Sequence, residues 1–301
     1  MEKITHGGDT TLRFGMSEWL LTLGIAVIWG SSSLFAAIAL DHVETAVVPA
    51  AQLFFGICTL VWFPSARIKI ERADIPRVML IGFIWMALPF FLYAKAQETT
   101  SASVTGMING GIPVMTVFVT AIFVRSMPTA RRMIAVVIGF AGIAMVSFSS
   151  VGDSATATTQ GVMFLLIALV CYAVGTNVIW TLQVKYGALA AIFWGQLFAF
   201  LYLLPISIPA ITQSEFHWGA VASLLELGIF GTGIGYALYG VLVARAGPIR
   251  GAIGIFLTPI VATCNGIVFR NDSVRLFAFI GMAIVVVGAV LTSQPESTTT
   301  E

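Results

Sequence analysis

The chain has 301 residues, of which 58% are hydrophobic and 10% are charged, and its mean hydropathy is +0.97. Soluble globular domains carry about 25% charged residues, so the composition excludes a single soluble core and predicts lipid as the solvent. The net charge of +1 provides no basic face for phosphates, which excludes a nucleic-acid partner.

Ten apolar runs, separated by charged residues or by proline and glycine, predict ten membrane-spanning helices. Each crossing of a hydrocarbon layer about 30 Å thick needs about 20 residues, which leaves no room for a soluble domain. The predicted spans are 17–40, 44–65, 75–97, 101–124, 130–149, 160–184, 188–209, 218–243, 248–269 and 275–293. We predict a cytoplasmic segment at 1–16, a linker loop at 150–159 and a disordered cytoplasmic tail at 294–301. No cleavable signal is predicted, because the first apolar run is long enough to span the membrane.

Basic residues predict the orientation, because cytoplasmic loops carry an excess of Lys and Arg. With the amino terminus inside, twelve of the 15 basic residues are cytoplasmic, and only Lys95, Arg270 and Arg275 lie outside. This split requires an even number of helices, so both termini are predicted to be cytoplasmic. The predicted location is the inner membrane of a bacterium. The cytoplasmic residues are Lys3, Arg13, Arg67, Lys69, Arg72, Arg77, Arg125, Arg131, Arg132, Lys185, Arg245 and Arg250.

An internal repeat relates the two halves of the chain. The repeat predicts two five-helix units, at 17–149 and 160–293. Because five is odd, the second unit must enter the membrane upside down, as in the inverted repeats of secondary transporters. Like residues recur at shifts of 144 to 146 positions: Gly82 and Gly228, Tyr93 and Tyr239, Pro113 and Pro259, Gln52 and Gln196.

The turn Trp29-Gly30-Ser31-Ser32 in the first helix resembles the opening motif of EamA-type proteins of the drug/metabolite transporter superfamily. Proline-centred fourth and ninth helices and glycine-rich fifth and tenth helices extend the resemblance over about residues 17–293. Within the superfamily the chain looks most like bacterial aromatic amino acid exporters. The resemblance implies an all-α membrane fold of ten helices with 5+5 inverted symmetry, a central cavity and the export of small metabolites. The chain departs from many relatives by having Gln52 where they have a basic residue.

Polar residues in hydrocarbon are costly unless they face a cavity or find partners, so their positions predict the substrate site. In the first helix we predict Trp29, Ser31 and Ser32 as substrate-binding residues. In the sixth helix we predict Tyr172, Thr176 and Asn177, the first two of which share one helix face. The alternative for the hydroxyl groups is a hydrogen bond back to a carbonyl of their own helix.

Proline interrupts the fourth and ninth helices near their middle and leaves a backbone carbonyl unpaired one turn earlier. Asn109 precedes Gly110, Gly111 and Pro113, and Pro259 lies in the ninth helix. We predict Asn109 as a substrate ligand, because an opened turn offers backbone groups to a zwitterion. We predict Gly110, Gly111, Pro113, Pro259 and Pro89 as hinge residues; the alternative is a simple packing kink.

Aromatic residues in the third and eighth helices complete the predicted site. Their faces can enclose an apolar amino-acid side chain, and a tyrosine hydroxyl can bond its polar end. The alternative is that they pack the interior without contacting a substrate. The predicted residues are Trp85, Phe90, Tyr93, Tyr236 and Tyr239.

Charged residues are almost absent from the predicted spans. A proton relay usually needs a buried Asp, Glu or His, and Glu226 is the deepest carboxylate. We therefore predict substrate-driven or facilitated export, with Glu226 as the one candidate for coupling. The three cysteines, Cys58, Cys171 and Cys264, lack paired spacing and are predicted to be free thiols.

The leading interpretation is a secondary transporter that exports neutral amino acids, including apolar and aromatic ones, by alternating access. Its predicted partners are the small-molecule substrate and the lipid bilayer, with no obligate protein partner. One alternative is a transporter of the same fold that moves other metabolites or drugs. A more distant alternative is a lipid-modifying membrane enzyme, but the sequence clusters no catalytic or metal-binding groups. We predict no enzyme activity, no cofactor and no metal.

Overall fold

A computed structural model of the chain describes residues 15–124, 129–150, 157–242 and 253–292. The predicted amino-terminal segment, most of the predicted linker and the predicted tail lie outside these ranges. Within them the chain is nearly all helical, and its one β contact is a single antiparallel bridge between Thr100 and Ala157. This agrees with the all-α prediction.

Ten helical segments, which we label α1 to α10, follow one another in the described ranges. Two of them, α3 and α8, contain a π-helical stretch, and α4 is divided into two parts. The bounds are α1 Met16–Leu40, α2 Val47–Leu60, α3 Ile75–Ile81 with Gly82–Ala87 and Leu88–Gln97, α4 Ala102–Asn109 with Ile112–Val124, α5 Ala130–Ser150, α6 Thr159–Tyr186, α7 Ala188–Ile211, α8 Trp218–Leu225 with Glu226–Ile234 and 235–242, α9 Ile253–Arg270 and α10 Leu276–Thr292.

Six helices are long and apolar enough to cross a membrane: α1, α3, α4, α6, α7 and α8. Four shorter apolar helices accompany them in the described ranges, and α2 is the clearest departure from the predicted spans. It covers 14 residues, whereas the sequence pattern predicted 44–65. The chain leaves the helix after Leu60 and forms a 3₁₀ turn that begins at Pro64. A proline at this point disfavours a longer helix, because it lacks the N–H group and its ring crowds the preceding turn.

The fourth helix is broken where the sequence predicted a hinge. Its first part ends at Asn109, and its second part begins at Ile112, after the turn residues Gly110 and Gly111. Pro113 has no N–H group to donate to the carbonyl of Asn109, so one α-helical hydrogen bond is missing at this point, next to the turn residues Gly110 and Gly111. The ninth helix, in contrast, continues through Pro259.

Wide π-helical stretches occupy corresponding positions in α3 and α8, at Gly82–Ala87 and Glu226–Ile234. In α3 the stretch precedes Pro89, and the N–H of Leu88 bonds to the carbonyl of Phe83, five residues earlier. In α8 the N–H of Gly235 bonds in the same way to the carbonyl of Phe230, five residues earlier. Bonds of this length replace the usual four-residue bonds and widen a helix.

Contacts between connecting segments divide them into two groups at opposite ends of the bundle. At one end Lys185 forms ion pairs with Glu71 and Asp74, which joins the end of α6 to the segment before α3. At the other end Asp41 forms an ion pair with Arg270. Each group contains only segments that the distribution of Lys and Arg assigns to one side of the membrane. We call these ends the inner and the outer end, respectively.

Helices that correspond in the two halves run antiparallel where they touch. In the α5–α10 pair, Gly139 lies against Gly288, and Val146 lies against Gly281. The α4–α9 pair is antiparallel too. A Cβ at Gly110 would meet Pro259, and Ser103, which comes earlier in α4, bonds to the carbonyl of Thr263, which comes later in α9. The α2–α7 pair is antiparallel as well. Packing between the halves is also reciprocal, since α1 packs on α9 as α6 packs on α4, and α2 on α8 as α7 on α3.

The contact between α5 and α10 is so close at Gly139 and Gly288 that no side chain fits at these two positions. A Cβ added at Gly288 would lie 2.6 Å from the Cα of Gly139. Small residues at helix interfaces in membranes allow this approach, and van der Waals contact then stabilises the pair.

We expect Gly288→Val to force these two helices apart and to lower the free energy of unfolding by about 1–3 kcal/mol, the usual cost of overpacking. Thermal unfolding of the purified chain in detergent measures this. The matched control is Gly24→Val in α1, where a Cβ would meet no atom within 4 Å. Equal melting temperatures for the two variants would contradict the close contact.

Candidate functional site

Four predicted aromatic residues form one contiguous cluster between α1, α3 and α8. The ring of Trp29 lies 5.5 Å from that of Tyr236 and 5.4 Å from that of Tyr239, measured between centroids. Trp85 joins the cluster 5.9 Å from Tyr236. The indole N–H of Trp29 donates to the carbonyl of Gly231 at 2.9 Å, which holds the ring against the π-helical stretch of α8.

Three further predicted rings meet between α3 and α6. Tyr172 lies 6.2 Å from Phe90 and 5.9 Å from Tyr93. Trp85 connects the two groups of rings, because it packs against Gly175, three residues after Tyr172 on α6. The structure therefore brings all seven predicted aromatic residues of α1, α3, α6 and α8 into one group, which we call the aromatic group.

The hydroxyl groups predicted in α1 and α6 mostly find partners within the protein. Ser32 donates to the carbonyl of Ile28 at 3.2 Å, and Thr176 donates to the carbonyl of Tyr172 at 2.7 Å. For these two hydroxyls the structure therefore has the bond to a carbonyl of the same helix that the sequence analysis gave as the alternative to substrate binding. Such bonds leave the lone pairs of both oxygens free to accept, but they occupy the hydrogen that would be donated to a ligand.

The predicted side chains of Ser31 and Asn177 make hydrogen bonds between helices instead. Ser31 accepts from the amide of Asn265 on α9 at 2.9 Å. The amide oxygen of Asn177 lies 2.9 Å from the hydroxyl of Thr120 on α4, which has the carbonyl of Thr116 at 2.7 Å as a second acceptor, and the amide nitrogen of Asn177 donates to the carbonyl of Ala173. Asn265 and Thr120 were not predicted. A polar amide within the apolar run of the ninth helix was the available signal for Asn265.

Other buried polar atoms have no hydrogen-bond partner among the described residues, and several lie on α1, α3 and α4. They include the hydroxyl of Tyr93 and the amide oxygen of Asn109, which were predicted, and the hydroxyls of Ser33 and Thr105. Tyr93 packs against the same buried cluster as the residues of α4 around Asn109. Buried polar groups are normally bonded, so such atoms indicate a place where a ligand or water binds.

The break in α4 and Glu226 are the other predicted features of the site. The ring of Pro259 packs against Gly110, so the break in α4 faces α9. Glu226 begins the π-helical stretch of α8, and one of its carboxylate oxygens is buried without a partner among the described residues. Away from the helix ends, Glu226 is the one charged residue of the described helices. The centre of the bundle is therefore apolar, aromatic and polar without charge.

A groove of about 330 Å³ opens between the beginning of α1 and the end of α8. It lies at the inner end, away from Asn109, and not at the aromatic group itself. Its residues include Leu238 and Val241, which flank Tyr239 on α8. Leu20 and Val241 in its lining are 63% and 41% exposed, so the groove opens on the surface of the bundle, while the rings of the aromatic group contact one another.

Comparison with known proteins places the chain among transporters. The sequence model of the EamA-like transporter family matches residues 16–148 and 159–294. An uncharacterized transporter of Archaeoglobus fulgidus is 20% identical over 275 residues, which cover 91% of this chain and 97% of that protein. A "Probable terminal-alkyne amino-acid exporter" of Streptantibioticus cattleyicolor is 23% identical over 287 residues, with 93% and 94% covered.

One solved structure, titled "Crystal structure of protein", matches the fold. It has a TM-score of 0.62 at 14% identity and covers 91% of this chain and 96% of that one. The two chains therefore share an architecture over nearly their whole length.

Proposed function

The chain belongs to the EamA-like transporter family, and from this membership we propose that it exports neutral amino acids, including apolar and aromatic ones, by alternating access. Multi-pass membrane insertion and transport are properties of the family. The substrate, the bacterial inner membrane as location and the site are our proposals. One observation carries them: aromatic rings and unpartnered uncharged polar atoms meet where the two halves of the chain pack together.

The proposed architecture has ten spans in two inverted five-helix units, 17–149 and 160–293, with both termini in the cytoplasm. The antiparallel contacts between corresponding helices support inversion. Two successive matches to one family model support the division into two units. Epitope tags at both termini should be digested by protease in inside-out vesicles and protected in right-side-out vesicles; the reverse pattern at either terminus would refute the topology.

The proposed substrate site lies between the aromatic group and the polar atoms of α1 and α4. Aromatic faces would hold the apolar side chain of the amino acid. The hydroxyl of Tyr93 would donate to its carboxylate and the amide oxygen of Asn109 would accept from its ammonium group, because neither atom has a partner among the described residues. A substrate with a strong net charge would need an opposite charge at the centre, and phosphorylated substrates usually bind Arg or Lys. The described centre holds neither, which favours a zwitterion.

The name of one relative supports an amino-acid substrate, since it is called a probable terminal-alkyne amino-acid exporter. The first alternative is another small metabolite or drug carried by the same fold. A lipid-modifying enzyme is the distant alternative and would require acid, base or metal groups at the lipid headgroups.

Efflux from intact cells separates these functions. We expect cells that overproduce the chain to tolerate higher concentrations of a toxic aromatic analogue such as p-fluorophenylalanine and to retain less of it when labelled. Cells that overproduce the Tyr93→Phe, Asn109→Ala double variant at equal abundance are the control. If retention is the same in both, amino-acid export is refuted and a panel of other metabolites and drugs becomes the next test.

Energy coupling is tested at Glu226. We expect right-side-out and inside-out vesicles to transport at the same rate with and without a pH gradient, because one lone carboxylate in the outer part of α8 offers no relay across the membrane. If a gradient does accelerate transport, Glu226→Gln should remove the acceleration, whereas Glu44→Gln in an outer loop should preserve it. A strict gradient requirement that survives Glu226→Gln would contradict both forms of the proposal.

A further inference from the structure

Two hydrogen bonds between side chains join the two halves of the chain inside the bundle. One runs from the amide of Asn265 on α9 to the hydroxyl of Ser31 on α1, and the other from the hydroxyl of Thr120 on α4 to the amide of Asn177 on α6. Both have a length of 2.9 Å and both are partly buried. In each pair one residue comes from the first half and the other from the second.

The two bonds occupy corresponding places in the repeat. A shift of 145 positions carries Ser31 to Thr176, the neighbour of Asn177, and a shift of 146 carries Val119, the neighbour of Thr120, to Asn265. The helix pairs correspond as well, because α1 and α9 are the repeat counterparts of α6 and α4. The asparagine lies on the second half of the chain in both bonds, on α9 in one and on α6 in the other. Because corresponding helices run antiparallel, these equivalent places lie on opposite sides of the centre.

The contact between Gly110 and Pro259 marks the centre where α4 and α9 cross. Thr120 lies ten residues beyond this point toward the inner end of α4, and Asn265 lies six residues beyond it toward the outer end of α9. At a rise of about 1.5 Å per residue these intervals correspond to about 15 Å and about 9 Å. Asn109 therefore lies between the levels of the two bonds, as do Trp29, two residues from Ser31 toward the inner end of α1, and Tyr172, five residues from Asn177 toward the outer end of α6.

Only the outer bond has a reinforcing contact in the described part of the chain. Beyond Asn265 and Ser31 the same two helices end in the ion pair between Arg270 and Asp41, with a second contact from Nη2 to Oδ1 at 3.0 Å. Helices α1 and α9 are thus fastened twice on the outer side. Residues 125–128, which follow α4 on the inner side, lie outside the described ranges.

We infer that Asn265–Ser31 is the outer gate and Asn177–Thr120 the inner gate of the carrier, and that each bond breaks when the site opens to its side. The inference rests on the proposed alternating access. It assigns Asn177 a role in positioning α4 and α6 in place of the substrate contact that the sequence predicted. A carrier needs one gate closed while the other opens, and two equivalent bonds on opposite sides of one site meet that need.

Accessibility of a thiol below each gate tests the inference. The background is the full chain with Cys58, Cys171 and Cys264 replaced by serine. The outer reporter is Val261→Cys, which faces Gly30 between α9 and α1, and the inner reporter is Met115→Cys, its counterpart in the repeat, 8% exposed beside α6. A membrane-impermeant methanethiosulfonate reagent is added to right-side-out or inside-out vesicles, and the rate of modification is measured.

A side-chain hydrogen bond contributes enough to shift such an equilibrium about two- to tenfold. We expect Asn265→Ala to raise modification at position 261 from outside by that factor, and Asn177→Ala to raise modification at position 115 from inside. Ser31→Ala and Thr120→Val remove the partner atoms and should reproduce these shifts. They also provide the test if an asparagine variant fails to reach the membrane.

Matched controls remove a hydroxyl that bonds only to its own helix. These are Thr258→Val on α9 and Thr181→Val on α6. The threonine hydroxyls at these positions donate to the carbonyls of Ile255 and Val178, respectively. Unchanged rates in the gate variants, or rates that rise equally from both sides, would overturn the gates. The measurement needs no substrate, so gates that respond as expected while no amino acid is transported would refute the proposed substrate and leave the gates standing.

Discussion

Trp29→Ala is expected to reduce transport of aromatic amino acids by about 10- to 100-fold, because it removes the ring that joins α1 to α8. Trp29 contacts Tyr236 and Tyr239 at once, and its N–H is fixed to the carbonyl of Gly231. Aromatic contacts contribute about 0.5–1.5 kcal/mol each beyond the area they bury, so the loss of the two ring contacts that position Trp29 costs about 1–3 kcal/mol, an interval that contains these factors. Initial rates of uptake into proteoliposomes measure the effect.

The loss must be separated from a general loss of packing. Trp62→Ala is the matched control, because Trp62 is 82% exposed beyond the end of α2 and is predicted to lie at the membrane interface. Trp29→Phe keeps one aromatic ring and removes the second ring and the donor to Gly231, so an intermediate rate is expected. Equal rates for Trp29→Ala and Trp62→Ala, at equal melting temperatures, would remove Trp29 from the site.

Tyr93→Phe should weaken substrate binding without destabilising the protein. Its hydroxyl is buried and has no partner among the described residues, so in the free protein it contributes no hydrogen bond and carries the cost of burial. If the substrate supplies the partner, removal of the hydroxyl should raise the apparent KM by about two- to tenfold. The melting temperature of the substrate-free protein should stay equal or rise.

Tyr186→Phe provides the opposite pattern. The Tyr186 hydroxyl donates to Asp74 at 2.7 Å at the inner end of the bundle, far along α6 from Tyr172. Its loss should lower the melting temperature and leave the apparent KM unchanged. A Tyr93→Phe protein that melts lower and binds substrate normally would show that the hydroxyl serves the fold and not the ligand.

Composition and periodicity predicted the helices well, because lipid imposes one strong rule. Every backbone group must be bonded within its own segment, so apolar runs of sufficient length become helices. The break after Asn109 was also predictable, since Pro113 removes one backbone donor. The early end of α2 at Leu60 could have been read from Pro64, but the apolar residues Val61, Trp62 and Phe63 concealed it.

Other features depend on contacts that a single sequence does not encode locally. The π-helical stretch of α8 contains Thr232, whose hydroxyl lies 3.0 Å from the carbonyl of Gln52 on α2, a residue 180 positions away in the chain. The aromatic group was predicted as a set of rings but not as mutual contacts. Asn265 was missed, because its partner Ser31 is distant in the chain and only the packing of α1 on α9 brings them together.

Counterflow in proteoliposomes tests the central claim most directly, because it detects a carrier without assuming a driving force. Purified chain is reconstituted into vesicles loaded with unlabelled phenylalanine, and labelled amino acids are added outside one at a time. The proposed site predicts transient accumulation of labelled phenylalanine, leucine and other neutral amino acids, abolished by Trp29→Ala and preserved by Trp62→Ala. No accumulation of any amino acid by a folded, reconstituted chain would contradict a central site for neutral amino acids.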